Sequence, residues 1–446
     1  MVMKYKSIIT ISFYLFFNII FLSSAIAIEK LKAHGGPVKG LTISNDQKLI
    51  ASASFDYSAV LWGLNPTKDL VTLIGHDAAV NTLKFSPDNS ILATGGDDNQ
   101  LLLWNVKKSL LLEGEIEPIK LLGHKGKIVD LAFSKDGKKL FSASWDGTIG
   151  VWDVNEKRNI KFMKGHKGPV YSIQLNKDET KIFSSGADGK IIEWNSKKLE
   201  YVVPIVENGW GVSVFTVDEE KDFITFGSTD GIIKVQSIKG QKELLRIAED
   251  RIPILSSFYL PKKNMLSYGN AKGRIILLNT LDWSLIRDFS AVNGPVWDNL
   301  ILESDSSLFV AGLDDFITRW HIFDFPPQIL EKPGPARRFH PNKEISNGER
   351  QFARKCSVCH TLRADGKKRA GPSLHKVFGR EAGTLEGYVY SEALIKSKIV
   401  WNENSISKLF EDGPDKVTPG TKMPIQKMKN KKDRLDLVLF LKEATK

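Results

Sequence analysis

HKGKIVDLAFSKDGKKLFSASWDGTIGVW, residues 124–152, opens on a histidine, places an aspartate 22 positions later and ends on a tryptophan 28 positions after the histidine. Three other stretches keep that spacing: His34/Asp56/Trp62, His76/Asp98/Trp104 and His166/Asp188/Trp194. Inside each, short apolar alternations such as KLFSAS are bounded by polar turns such as SKDG and WDG. That is the pattern of brief β-strands joined tightly. Self-similarity at a fixed period marks a repeat architecture and takes precedence over any local reading.

The phase continues beyond residue 194. STDGIIKVQ, NAKGRIILL and LDDFITRW put Gln236, Leu278 and Trp320 where the tryptophan belongs. The phase positions 62, 104, 152, 194, 236, 278 and 320 are 42 apart, except for one interval of 48 lengthened by KSLLLEGEIEPIK. Seven such units predict an all-β, seven-bladed propeller over residues 28–324. Residues 28–322 resemble the WD-repeat family, strongly in the first four units and weakly in the last three. The resemblance implies that each histidine bonds the aspartate of its own blade and reaches the tryptophan through Ser52, Thr94, Ser142 or Ser184. Segments preceding the histidines, such as DLVTLIGH and PIKLLGH, read as outer strands of the preceding blade. IEKLKAH, before His34, then completes the last blade and removes an open sheet edge.

The N-terminus reads as an export signal over residues 1–27. Lys4 and Lys6 precede an apolar run from Ile8 to Leu22, and Ala25 and Ala27 form an A-x-A-type cleavage site. The alternative is an uncleaved anchor, since no charge interrupts residues 7–28. Residues 325–344 carry five prolines, which remove backbone donors and favour extended chain, so they read as a semi-rigid linker. After it NGERQFARKC and KKDRLDLVLFLKEATK show helical spacing. Of the net charge of +11, residues 345–446 hold +9 and the N-terminal segment +2, leaving propeller and linker together, residues 28–344, neutral.

KCSVCHTLRADGKKRAGPSLHKVFGR, residues 355–380, holds Cys356 and Cys359, the only cysteines, and His360 beside them. Two cysteines build no disulfide framework, whereas C-x-x-C-H is the attachment motif for c-type haem. A zinc site needs further ligands, and the chain has no other cysteine. A thioredoxin-like pair should follow a strand, and this one closes a helix. Residues 345–446 resemble cytochrome c of the mitochondrial and bacterial soluble type, an all-α class I domain, with GPSLHKVFGR, AGTLEGYVYSEA, IVWNENS and PGTKM in the family's order. The resemblance implies one haem c, covalently held by Cys356 and Cys359. His360 and Met423 would be its axial iron ligands, a pair that raises the reduction potential. It implies further that the Pro372 carbonyl accepts the ring N–H of His360, and that Arg380, Tyr390 and Trp401 satisfy buried propionates. Gly348 and Phe352 match the contact between first and last helices, facing Leu437 and Phe440. Two positions depart from the family: Phe410 replaces a usual tyrosine and Ile425 a usual aromatic. Met428 is the rival ligand, in a setting that does not match.

The expected whole is a multidomain chain: a seven-bladed WD-repeat propeller followed by a cytochrome c domain. It reads as an exported carrier, in the periplasm of a Gram-negative bacterium, with no catalytic residues and electron transfer by the outer-sphere route. Its partners are redox proteins acidic at their docking face, and an unidentified protein held by the propeller. Membrane contact is expected only if the N-terminal segment is an anchor, and nucleic acid is not expected. Lys367, Lys368, Lys376, Lys416, Lys422, Lys427 and Lys429 either ring the haem edge and steer partners or are solvated charge. His375 reads as a surface residue, and His321 and His340 have no partner legible in sequence. Two alternatives stand: a nitrite-reductase-like enzyme with a second haem in the propeller, and a propeller sensor read out by the haem.

Overall fold

A computed structural model describes residues 29–112, 116–248, 251–323, 346–357, 359–363, 371–388, 390–419, 421, 423, 427–428 and 430–446. Residues 1–27, read above as an export signal, and the proline-rich stretch 325–344 lie outside the described residues.

Seven four-stranded antiparallel sheets form the first part. The register shows that they are one unit repeated. Ile50 pairs with Trp62, Leu92 with Trp104, Leu140 with Trp152 and Ile182 with Trp194. The faint copies keep the same alignment, with Ile224 opposite Gln236, Leu266 opposite Leu278 and Leu308 opposite Trp320. The strand from the start of the described chain, Glu29–Lys32, pairs antiparallel with Phe316–His321, running from Glu29 opposite Arg319 to Lys32 opposite Phe316. It completes the seventh blade, as the segment before His34 predicts. An ion pair from Arg319 to Glu29 at 3.0 Å fastens this closure. Blades seven and one also meet through Asp298, which accepts the Leu41 N–H at 2.8 Å, and through Gln47, which donates to Glu303 at 2.7 Å.

Inside the first four blades the polar chain follows the expected route. Trp62 Nε1 donates to Ser52 Oγ at 2.8 Å, Ser52 lies 2.7 Å from His34 Nε2, and His34 Nδ1 donates to Asp56 at 3.2 Å. The chain repeats through Trp104, Thr94, His76 and Asp98. It repeats again through Trp152, Ser142, His124 and Asp146, and through Trp194, Ser184, His166 and Asp188. Every one of these tryptophans is buried. Each chain satisfies groups whose unpaired burial would cost on the order of 1–3 kcal/mol apiece. Burial pushes the Asp56 carboxyl up, but the adjoining His34 and the hydroxyl and N–H donors more than offset it, leaving it at about 2.

Blades five to seven hold together differently, which is why their sequence signal is faint. Tyr268 of blade six reaches Thr225 of blade five, and Asn299 of blade seven donates to Ser256 of blade six at 2.9 Å. Phe223 packs edge-on against Tyr259 and Trp283. These links run between blades, whereas the histidine chain runs within one. His321, without a partner at the sequence level, lies 3.1 Å from the Ser307 hydroxyl.

The second part is helical: Asn347–Lys355, Glu392–Ile395, Glu403–Asp412, Pro414–Val417 and Lys431–Ala444. Ser346 caps the first helix by accepting from Glu349 N, and Asn402 and Ser405 form a reciprocal cap on the third. The first and last helices cross at Gly348. A Cβ there would sit 2.0 Å from the Asp436 carbonyl oxygen and 2.6 Å from Phe440 Cβ, so only glycine allows the approach. Phe352 and Phe440 pack beside it with ring centroids 5.7 Å apart, and Leu437 is fully buried. No helix among the described residues is long and apolar enough to cross a membrane.

Candidate cofactor site

The last turn of the helix Asn347–Lys355 delivers Cys356, whose N–H donates to the Phe352 carbonyl at 2.9 Å. The chain then tightens into a turn in which Cys359 N and His360 N both donate to the Cys356 carbonyl, at 3.1 and 2.9 Å. The C-x-x-C-H spacing thereby presents both sulfurs and the imidazole to one cavity, with about 1220 Å³ of empty space that opens to solvent. Cys356 is buried, and burial first, then the neighbouring Cys359, pushes its thiol up to about 12. A thiol held protonated at a helix C-terminus is a poor redox nucleophile. Among the described residues no cluster of three or more His, Cys, Asp or Glu forms a metal cage.

His360 is aimed by its surroundings. Its Nδ1 donates to the Pro372 carbonyl at 2.8 Å, as the resemblance implies. That bond fixes the tautomer in which Nε2 carries the metal-binding lone pair. Gly371 presses on the ring: a Cβ there would meet His360 Cε1 at 2.4 Å and Nδ1 at 2.7 Å. Gly371 N in turn donates to the Cys359 carbonyl at 2.8 Å.

Met423 lines the same cavity, its N–H donating to Thr421 Oγ1 at 3.1 Å. Met428 does not line it. It is buried in the helical core, with its N–H on the Phe410 carbonyl at 2.7 Å and its own carbonyl accepting from Arg434 at 2.6 Å. Of the two methionines, Met423 lines the cavity and Met428 does not.

Arg380, Tyr390 and Trp401 also line the cavity, with Pro372. Arg380 donates to the carbonyls of Ser373 at 2.7 Å and His375 at 3.1 Å. Its backbone carbonyl accepts from Trp401 N at 2.9 Å, which ties the two residues into one wall. Burial lowers the Arg380 guanidinium from its ordinary value, with Tyr390 opposing. Phe410 is buried at the cavity wall where the family usually has a tyrosine. The sequence reading missed Tyr388, whose ring packs 4.7 Å from that of Tyr390; the alternation in GYVY places both on one side. It missed Gly371 too, although a glycine before Pro372 was in view. One lining residue, Tyr57, comes from the propeller.

These residues fit a haem. The cavity is mostly apolar, two sulfurs sit at the attachment spacing, an oriented imidazole faces in, and a thioether is among the lining groups. Lys376, Lys416 and Lys427 are exposed on the same domain, while Lys367, Lys368, Lys422, Lys429, Ile425 and His340 lie outside the described residues. His375 is half-buried.

Comparison with known proteins agrees with both halves. The family model "WD domain, G-beta repeat" matches residues 26–63, 67–105, 116–153 and 157–195, and the family model "Cytochrome c" matches residues 345–445. The chain is 41% identical over 103 residues to cytochrome c of Gibberella zeae, covering 96% of that protein and 23% of this one. It is 40% identical over 114 residues to cytochrome c of Kluyveromyces lactis, covering 99% of that protein and 26% of this one. The solved structure of the WD40 β-propeller domain of Doa1 superposes with a TM-score of 0.57 at 19% identity, covering 66% of this chain and 95% of that one, a likeness of fold alone.

Proposed function

The chain belongs to the cytochrome c family through its C-terminal domain, and on that premise we propose that it is an exported one-electron carrier whose propeller holds a protein partner near the haem. The family supports an electron-carrying haem protein, and the WD-repeat propeller supports protein interaction. The finer reading rests on one observation above others: Cys356, Cys359, an oriented His360 and Met423 all line a single apolar cavity.

In this reading Cys356 and Cys359 would anchor one haem c, and His360 and Met423 would ligate its iron. Bound there, the group supplies a one-electron couple. The chain does the rest. The Pro372 carbonyl and Gly371 hold the imidazole in place, the apolar walls would exclude water, and Arg380, Tyr390 and Trp401 would meet the propionates. Ligation by both His360 and Met423 would leave substrate no place at the metal, which favours a carrier over an enzyme. The four repeat histidines are spent in hydrogen bonds within their blades and do not offer a second haem site. Export to a periplasm is supported by the N-terminal segment and by the extracytoplasmic setting in which such haems are attached. Redox partners with acidic docking faces are supported by the +9 charge of residues 345–446.

A redox titration of the purified chain tests this. The reading requires one reversible one-electron transition that needs no added substrate and is abolished in a Cys356→Ala, Cys359→Ala double variant. A second redox transition, or turnover of nitrite, would move the enzyme reading ahead.

A further inference from the structure

Tyr57 stands in the left-handed region at φ 72°. It occupies the tight turn between the strands Leu49–Ser54 and Ser58–Leu64. At the same turn position the next five blades have Asn99, Gly147, Gly189, Gly231 and Gly273, all with positive φ. Those are the residue types that tolerate this conformation; a bulky aromatic is a true outlier there. Strain that a neighbouring blade avoids with a glycine points to a use for the side chain.

The side chain's surroundings name that use. Tyr57 lines the cavity together with Cys356, Cys359 and His360, and Cys359 and Tyr388 are among the groups close enough to bear on its hydroxyl. Among the described residues it is the one cavity residue that the propeller contributes. The propeller face around it is built for contact. Phe55 of the same turn packs on Trp297 at 5.1 Å, Lys39 lies over Trp297, and Lys127 lies over Trp145, which is 45% exposed.

We propose that the propeller closes over the haem edge of its own cytochrome domain at Cys359, with Tyr57 as the contact, and so gates access to that edge. This rests on the haem reading above. Tyr57 is uncharged, so its removal leaves electrostatic steering as it was. The gate follows the open fraction of molecules, and a protein that competes for the Phe55–Trp297 face would free the edge.

The test uses the full-length holoprotein and its Tyr57→Gly and Tyr57→Asn variants, residues that other blades carry at this position. Two quantities are read: the second-order rate of haem oxidation by ferricyanide, and the radius of gyration by small-angle scattering. The proposal expects the rate to rise by roughly three-fold or more, since reactivity scales with the open fraction. It expects the radius of gyration to increase, with the haem spectrum and the propeller melting temperature not lowered. Folded variants with unchanged rate and unchanged scattering overturn it. A wild-type chain without covalent haem would sink the haem reading instead, and scattering on the same three proteins would still decide the closure.

Discussion

His360 and Pro372, twelve positions apart, are joined by one hydrogen bond in which the imidazole Nδ1 donates to the proline carbonyl at 2.8 Å. Gly371, which precedes Pro372 in the chain, has room for no side chain beside the ring. Gly371→Ala must therefore displace the imidazole or the loop. The expected result is a chain that folds its propeller normally but retains less haem, with a weakened low-spin spectrum. Full haem occupancy with an unaltered spectrum would show that the ring is not held this way.

The two methionines give opposite outcomes. Met423→Ala should abolish the sulfur-to-iron charge-transfer band and lower the reduction potential, because His/Met ligation raises it. Met428→Ala should leave the band in place and cost about 2–4 kcal/mol of stability in the helical domain, the ordinary loss for a buried methionine cut to alanine. Visible spectroscopy and thermal unfolding of the two variants separate ligand from core.

Ser142 is the middle of a buried chain, bonded to both Trp152 and His124. Ser142→Ala leaves an indole N–H and an imidazole nitrogen buried without that partner. A loss of roughly 1–3 kcal/mol in propeller stability is expected, with the haem spectrum unchanged. Denaturant unfolding followed by tryptophan fluorescence measures it.

Asp298 gives the propeller a pH dependence of definite sign. Burial pushes its carboxyl up to about 7, against the opposing N–H donors of Leu41 and Asn299. An unfolded aspartate ionises near its ordinary value of 3.8, so between that value and about 7 only the folded state retains the proton. The stabilisation is complete below the unfolded value and is lost as pH rises through about 7. Asp298→Asn should flatten this limb of the melting curve between acid and neutral pH. An identical slope in the variant would assign it to other groups.

The charge partition predicts the kinetics. If lysines steer partners, association should slow with salt, as the Debye length falls from ~10 Å at 0.1 M to ~3 Å at 1 M. Lys422→Glu with Lys427→Glu should cut the low-salt rate of electron transfer to an acidic partner by about ten-fold. Stopped-flow measurement across a salt series tests it, and a salt-independent rate would reduce these lysines to solvated charge.

Much of this architecture was legible in the chain because its determinants repeat or sit close together. The His–Asp–Trp spacing recurs four times and sets a phase that the structure extends to Leu278 and Trp320. The closing strand Glu29–Lys32 was readable for the same reason, as the outer strand that phase demands. C-x-x-C-H is compact, so Cys356, Cys359 and His360 could be found without a fold. What escaped depends on approach in space. The role of Gly371 arises only when the loop folds back on the imidazole, and the bonds Tyr268–Thr225 and Asn299–Ser256 each join residues 43 positions apart in neighbouring blades, through side-chain pairs that differ from one link to the next. Tyr57 had a visible signal, an aromatic in a turn where other repeats put glycine or asparagine, but its meaning needs the cavity beside it.

The proposed carrier requires one covalent haem held through Cys356 and Cys359. The direct measurement is a haem count on the purified, denatured protein by absorption and intact mass. The expected result is one c-type haem per chain that stays with the polypeptide on denaturation and is absent when both cysteines are alanine. A chain that releases its haem on denaturation, carries none, or carries two chromophores would contradict it.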